Sequence, residues 1–298
     1  MAEGGNRPAI GFIGLGRMGV PMAARLVAAG FTVFGYDRVA TAIERFAAAG
    51  GSPAASAAEA AAADVVILML PSSAVVNAVL ADKAFALALR PGAVLIDMGS
   101  SEPLQSRRIH DELAGRGARF LDAPVSGGVR GAQKGALTVM VGASEADFAA
   151  MQPLLTHFGR VVHAGPVGAG HAVKALNNLL SATHLLATSE AMRASARFGL
   201  KPEVVLGIFN TSSGKSGSTE TKWPNFVLTE SYDSGFALEL MLKDMEVAVD
   251  LASRLGVEAP LATRSVALWR AAKAALRDGA DHTEIALWNE EMPEDVAG

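Results

Sequence analysis

The chain has 298 residues, half of them hydrophobic, with 26 basic and 30 acidic side chains for a net charge of −4, and no cysteine. About two domains fit that length at roughly 150 residues each, and the missing cysteines exclude disulfides, zinc-thiolate centres and thiol nucleophiles. Without a basic run, the sequence has no electrostatic footprint for nucleic acid or an anionic membrane. The longest apolar run, 65–70, is far short of the ~20 residues that a bilayer demands. Residues 1–8 hold no apolar leader, so the expectation is a soluble, unexported, cytoplasmic protein. Glycine alone stands out, with 31 residues, about 10% against a usual ~7%. There are 13 prolines and no Gly/Ser linker, so the excess points to special backbone positions and not to disorder.

In chain order, apolar or β-branched runs at 10–13, 32–36, 65–70, 94–98, 119–122, 137–141 and 161–163 have the length of buried strands. Alanine-rich segments between them, at 18–29, 40–49 and 74–87, read as helices, and the alanine run at 54–63 also favours helix. Alternation of this kind predicts a doubly wound parallel sheet. Beyond Gly165-Pro166 the strand signal fades. One long helix is expected over 168–198, then helices at 200–210, 238–255 and 260–277, with a polar loop at 211–218. The predicted division is a Rossmann-type α/β domain over 1–167 and an all-α C-terminal domain over 168–298.

Gly14, Gly16 and Gly19 form G-x-G-x-x-G between the first strand and the first helix. In that context the first glycine permits a tight turn, the second admits a pyrophosphate, and the third packs helix on strand, while the helix start supplies N–H donors. Leu15, Arg17 and Met18 complete the loop. An ordinary glycine-rich turn is the alternative. Asp37 lies 18 positions beyond Gly19, at the end of the second strand, where a carboxylate accepts hydrogen bonds from the adenosine ribose. It favours NAD, whereas neighbouring Arg38 leaves NADP open by offsetting the charge of a 2′-phosphate. Leu70 and Pro71, at the end of the 65–70 run, fall at the carboxyl edge of the sheet, where cofactors lie; a plain strand-to-helix turn would look the same.

Three segments make the chain recognisable: residues 11–23 (GFIGLGRMGVPMA), 122–128 (DAPVSGG) and 168–178 (GAGHAVKALNN). Together they resemble the β-hydroxyacid dehydrogenases, 3-hydroxyisobutyrate dehydrogenase and tartronate semialdehyde reductase among them. The resemblance spans nearly the whole chain. It implies NAD(P)-dependent hydride transfer between nicotinamide and a short 3-hydroxy acid or its semialdehyde. By the same resemblance Lys174 is the catalytic lysine, Ser126, Gly127 and Gly128 hold the substrate carboxylate, and Asn178 lies beside the reacting oxygen. Ser100 stands near nicotinamide and substrate, Lys243 toward the cofactor, Asp244 near the active site, and Phe236 on the substrate side. It also implies a homodimer or homotetramer joined through the helical domain. Two departures are visible: Gly99 stands where the family often has Ser, and residues 212–220 differ from the members named, which leaves the substrate open.

The chemistry suits these residues. Oxidation of an alcohol needs a base for the hydroxyl proton as hydride leaves, and reduction needs an acid at the carbonyl oxygen. A lysine can do both if burial and a helix N-terminus lower its pKa from ~10.4. Around Lys174 the sequence reads as a helix buried nearly all round, with Lys174, Asn177, Asn178, Ser181 and His184 as a polar stripe. A snorkelling lysine on a solvated face is the alternative. The Ser126-Gly127-Gly128 turn offers backbone N–H groups to an anion. Lys243-Asp244, inside a helix read over 236–251, would also suit a simple ion pair. No metal-ligand spacing occurs among the six histidines, so no metal is expected. The rival functions are a non-catalytic dinucleotide-binding sensor or interaction module and, further off, an imine reductase.

Overall fold

A computed structural model describes residues 7–288, so the segment read for a leader lies largely outside the described residues, as does the C-terminal end. The chain forms two compact units divided between Lys174 and Ala175. That division falls inside a helix, seven residues beyond the one expected from the sequence.

The first unit is built on a nine-stranded sheet. Its strands are β1 (Ile10–Ile13), β2 (Val33–Tyr36), β3 (Ser52–Pro53), β4 (Val65–Leu68), β5 (Val94–Asp97), β6 (Arg119–Asp122), β7 (Val125–Ser126), β8 (Leu137–Gly142) and β9 (Gly159–Gly165). They run in the order β3-β2-β1-β4-β5-β6-β8-β7, with β9 on β8. Strands β3 through β6 in that row pair in parallel, β8 is antiparallel to β6 and β7, and β9 is parallel to β8. The sheet is therefore mostly parallel, with an antiparallel turn-back that the apolar runs of the sequence did not reveal.

Every residue of β1, β4 and β5 is buried, because helices cover both faces. Alternate side chains divide between two cores. Ile10, Phe12, Ile67, Ile96 and Leu121 pack on one side with Leu15, Met22 and Phe46. Ile13, Val66, Leu68, Leu95 and Phe120 pack on the other with Ala60 and Ile109. Gly11 is the gap in this pattern, since a Cβ there would stand 2.0 Å from the carbonyl oxygen of Ala60.

The expected helix at 74–87 is two helices, Ser73–Ala81 and Lys83–Ala88. Asp82 breaks it: its backbone is extended, and its carboxylate accepts the Phe85 N–H at 3.0 Å as a cap for the second helix.

In the second unit the helices Pro202–Asn210, Leu238–Arg254 and Pro260–Ala275 join the latter part of the long helix Ala169–Arg197. A π-helical segment, Ser218–Val227, lies between the first two of these, and a 3-10 turn, His282–Leu287, follows the last. Trp269, Trp223, Leu185, Leu242, Met245 and Ile285 form their common core. Phe236 precedes the helix in which the sequence placed it, in a short extended link where Ala237 bridges Asp281. Among the described residues no helix is long and apolar enough to cross a membrane.

Candidate active site

The register of the sheet builds one edge of the site. Tyr36, Ile13, Leu68, Asp97 and Asp122 stand side by side on neighbouring strands. The residues that follow them, Asp37, Gly14, Met69, Met98 and Ala123, therefore emerge in a row at the carboxyl edge, where open α/β sheets bind ligands.

At this edge the glycines of the first loop do different things. Gly14 has φ of 97°, and a Cβ on it would lie 2.3 Å from the Met69 carbonyl oxygen; a Cβ on Gly19 would lie 1.9 Å from the Gly14 carbonyl oxygen. Both positions are closed by packing. A Cβ on Gly16, by contrast, would meet no atom within 4 Å, so the loop is open where a pyrophosphate would approach. The N–H of Leu15 donates to Asp37 Oδ2 at 2.6 Å, and the N–H of Val39 donates to Oδ1 at 2.9 Å. Arg17 and Arg38 are exposed, and Met18 is half-buried against the core. This cradle fits a dinucleotide on its own geometry.

Leu70 and Pro71 follow β4 as expected, and the Leu70 carbonyl accounts for glycine at position 99. A Cβ on Gly99 would come within 2.4 Å of that oxygen, so a serine here would force the two loops apart. Half-buried Ser100 comes next. Ser126 ends β7, paired with Thr138, and Gly127 and Gly128 follow at φ of 127° and 62°. Those positive angles are open to glycine at little cost.

Behind this edge lies a buried polar network that sequence reasoning missed. Asp97 and Asp122 are fully buried at the ends of β5 and β6. Asp97 accepts the N–H of Gly99 at 2.9 Å and the hydroxyl of Ser101 at 2.6 Å. Asp122 accepts the N–H groups of Gly168 at 2.6 Å and His171 at 2.8 Å, which ties the start of the long helix to the sheet. Burial pushes the Asp122 carboxyl above the usual carboxylate range, against the pull of His171. His171 is buried too, with Nδ1 2.7 Å from the Ser106 hydroxyl. Both aspartates end apolar strands in the sequence, which was the available signal; their partners lie 46 and 49 residues away for Asp122.

Lys174 is the sixth residue of the helix Ala169–Arg197 and only 8% exposed. The expectation of a helix buried nearly all round is wrong. Val173, Leu176 and Leu180 are exposed, and so are Asn177 and His184. The polar stripe therefore splits, because a 3.6-residue turn carries 174, 178 and 181 inward and 177 and 184 outward. Lys174 and Asn178 are buried one turn apart, and Ser181 is half-buried.

In the second unit Asn178 Nδ2 donates to Asp244 Oδ2 at 2.6 Å, and Asp244 Oδ1 pairs with Lys243 Nζ at 2.9 Å. The Lys243-Asp244 pair is thus both an ion pair and the support of Asn178. Phe236 is half-buried, its ring 5.8 Å from that of His282 and its carbonyl accepting the His282 N–H at 2.9 Å. Lys222, also unforeseen, donates to the Ser181 hydroxyl at 2.6 Å.

Two family models cover the chain. Residues 9–168 match the NAD binding domain of 6-phosphogluconate dehydrogenase, and residues 168–288 match the NAD-binding domain of NADP-dependent 3-hydroxyisobutyrate dehydrogenase. The chain is 35% identical to 2-(hydroxymethyl)glutarate dehydrogenase of Eubacterium barkeri, over 97% of each chain. It is 39% identical to NAD-dependent L-serine dehydrogenase of Pseudomonas aeruginosa, over 88% of this chain and 91% of that one. Among solved structures, 3-hydroxyisobutyrate dehydrogenase of Mycobacterium tuberculosis with L-serine superposes with a TM-score of 0.88 at 34% identity, covering 94% of this chain and 98% of the other.

Proposed function

Because the chain belongs to the β-hydroxyacid dehydrogenase family and is an NAD(P)-dependent hydroxyacid oxidoreductase, we propose that Lys174 is its general acid/base. The observation that carries this is a lysine only 8% exposed, one helical turn from a buried Asn178. Its Nζ takes the hydroxyl proton as the alcohol becomes a carbonyl, and returns it in the reverse direction. The nicotinamide supplies the hydride acceptor or donor.

Asn178, its amide fixed by Asp244 and Lys243, holds the reacting oxygen. Ser126 and the backbone N–H groups of Gly127 and Gly128 bind the substrate carboxylate, with Ser100 beside it and Phe236 against the apolar side. Gly14 through Gly19 take the pyrophosphate, Leu70 and Pro71 flank the dinucleotide, and Lys243 reaches toward it. Asp37 favours NAD; Arg38, exposed beside it, keeps NADP within reach. The first unit is then the cofactor domain and the second the substrate and assembly domain. Exposed Leu176 and Leu180 on the long helix support a homodimer or homotetramer through the helical unit, and the lack of cysteine supports a cytoplasmic setting.

The substrate is a short 3-hydroxy acid or its semialdehyde, of the kind named for its relatives. Replacing Lys174 by Ala should lower kcat by about 10²-fold to 10⁴-fold while dinucleotide affinity, read by fluorescence titration, stays near wild type. Retention of most of the turnover would overturn the assignment.

A further inference from the structure

Lys222 is absorbed by none of these roles. It lies in the π-helical segment Ser218–Val227, a winding often found at functional sites, and its Nζ reaches the Ser181 hydroxyl at 2.6 Å. Ser181 follows Asn178 by three residues, so the two side chains are neighbours on one helix face, with Cβ atoms roughly 5–6 Å apart. The lysine is therefore half-buried on the face that carries Asn178, and its charge acts on His282. His282 is only 4% exposed, and its Nε2 has no hydrogen-bond partner among the described residues. Its other nitrogen, Nδ1, lies 3.0 Å from the Ser234 hydroxyl and 3.1 Å from the Phe236 carbonyl. Burial keeps this imidazole neutral, and Lys222 adds to that effect. The Lys222 ammonium is thus held about one helical turn beyond Asn178, and it acts on a buried imidazole whose ring neighbour is Phe236.

We propose that Lys222 is a specificity-determining residue that binds a second carboxylate on the substrate. The preferred substrates are then 3-hydroxy acids with an anionic side arm, and not simple monocarboxylic ones. This rests on the reading that the reacting oxygen is held beside Asn178. From that point to an ammonium seated on Ser181 is roughly 5–8 Å, one helical turn, the span of a side arm with one or two methylenes. The first carboxylate remains with Ser126, Gly127 and Gly128, so the two anionic groups are bound separately. A lysine suits the second group because a half-buried charge-assisted bond to a carboxylate is stronger than a neutral one.

Initial rates of the full-length protein test this with four probes: 3-hydroxyisobutyrate, 2-(hydroxymethyl)succinate, 2-(hydroxymethyl)glutarate, and the glutarate compound with its side-arm carboxylate converted to the amide. The expected result is that kcat/KM for at least one diacid exceeds that for the amide by tenfold or more. Lys222→Gln should shrink this ratio by about tenfold to hundredfold, chiefly through KM, and Lys222→Arg should keep most of it. Equal rates for diacid and amide in the wild-type protein would overturn the proposal, as would a Lys222→Gln variant that loses activity on all probes in the same proportion. If Lys222→Gln does not fold, the wild-type ratio decides alone. Oxidation of 3-hydroxyisobutyrate without a diacid preference sinks this inference and leaves the role of Lys174 standing; no oxidation of any probe sinks both.

Discussion

Asp122 is the residue whose loss should be felt furthest. Its carboxylate, fully buried, accepts two N–H groups from the start of the long helix, those of Gly168 and His171. Asp122→Ala leaves both donors buried without that acceptor, at about 1–3 kcal/mol each. Against that stands relief from holding a carboxyl in a site that disfavours its charge, since burial raises its pKa. The orphaned donors outweigh the relief, because each is a backbone group fixed in place by the helix it opens. A net loss of about 2–4 kcal/mol follows, a large share of the 5–15 kcal/mol that typical folded proteins possess. For a protein of this size that is a fall in Tm of roughly 5–15 °C, to be read by scanning calorimetry or circular dichroism. Gly142→Ala provides an independent arm. Its Cβ would stand 2.2 Å from Asp122 Oδ1, so it should displace the same carboxylate and lower Tm comparably. A fall of less than about 1 kcal/mol in Asp122→Ala would refute the view that this carboxylate fastens the helix to the sheet.

Three further outcomes are expected. Gly16→Ala should leave Tm near wild type, because nothing lies within 4 Å of its Cβ, and should weaken dinucleotide binding; Gly19→Ala, with a Cβ 1.9 Å from a carbonyl oxygen, should lower Tm. Equal melting temperatures in calorimetry would contradict this. Asp37→Ala should narrow the ratio of kcat/KM for NAD over NADP, measured on one substrate, whereas an unchanged ratio would mean that the carboxylate serves only the loop. The Asp281-His282 corner should make stability fall on acidification in two steps. Burial holds His282 below its usual 6.5, so the unfolded chain binds a proton that the folded chain refuses, and stability drops as pH falls through that value. Burial works to raise the Asp281 pKa, but hydrogen bonds from His282, Thr283 and Ser234 outweigh it and hold the carboxyl well below 3.8. That second contribution is lost as pH falls below the unfolded value. Melting curves of His282→Gln should lack the upper step; its persistence would point elsewhere.

Much of the first unit was legible because parallel strands buried on both faces leave continuous apolar runs. Ile10–Ile13, Arg119–Asp122 and the G-x-G-x-x-G turn could be read without a structure for that reason. Ser52–Pro53 and Val125–Ser126 could not, since two residues carry no period. The break at Asp82 had a signal, an acidic cap three residues before Phe85, but the surrounding alanines and valines masked it. The π-helical winding of Ser218–Val227 has no sequence period of its own and contains Pro224, so Lys222 fell between the loop at 211–218 and the helix at 238–255, and its reach to Ser181 went unseen. For the site, the motif residues were visible as local strings. The supports were not, because Asp122 with Gly168 and Asn178 with Asp244 are joined across 46 and 66 residues. On the long helix the error was one of exposure: Val173, Leu176 and Leu180 are apolar and point outward, and hydrophobicity alone cannot tell an outward face from a core.

The bond from Leu15 to Asp37 bears on kinetics as well as shape. Both carboxylate oxygens accept backbone N–H groups, from Leu15 and Val39, and the bond from Leu15 ties the glycine loop to the end of β2 through the chain's own atoms. Association then needs no preceding isomerisation, and its observed rate should rise linearly with dinucleotide concentration as a single exponential. Cutting that tie would trade a one-step encounter for a slower one that waits on the loop.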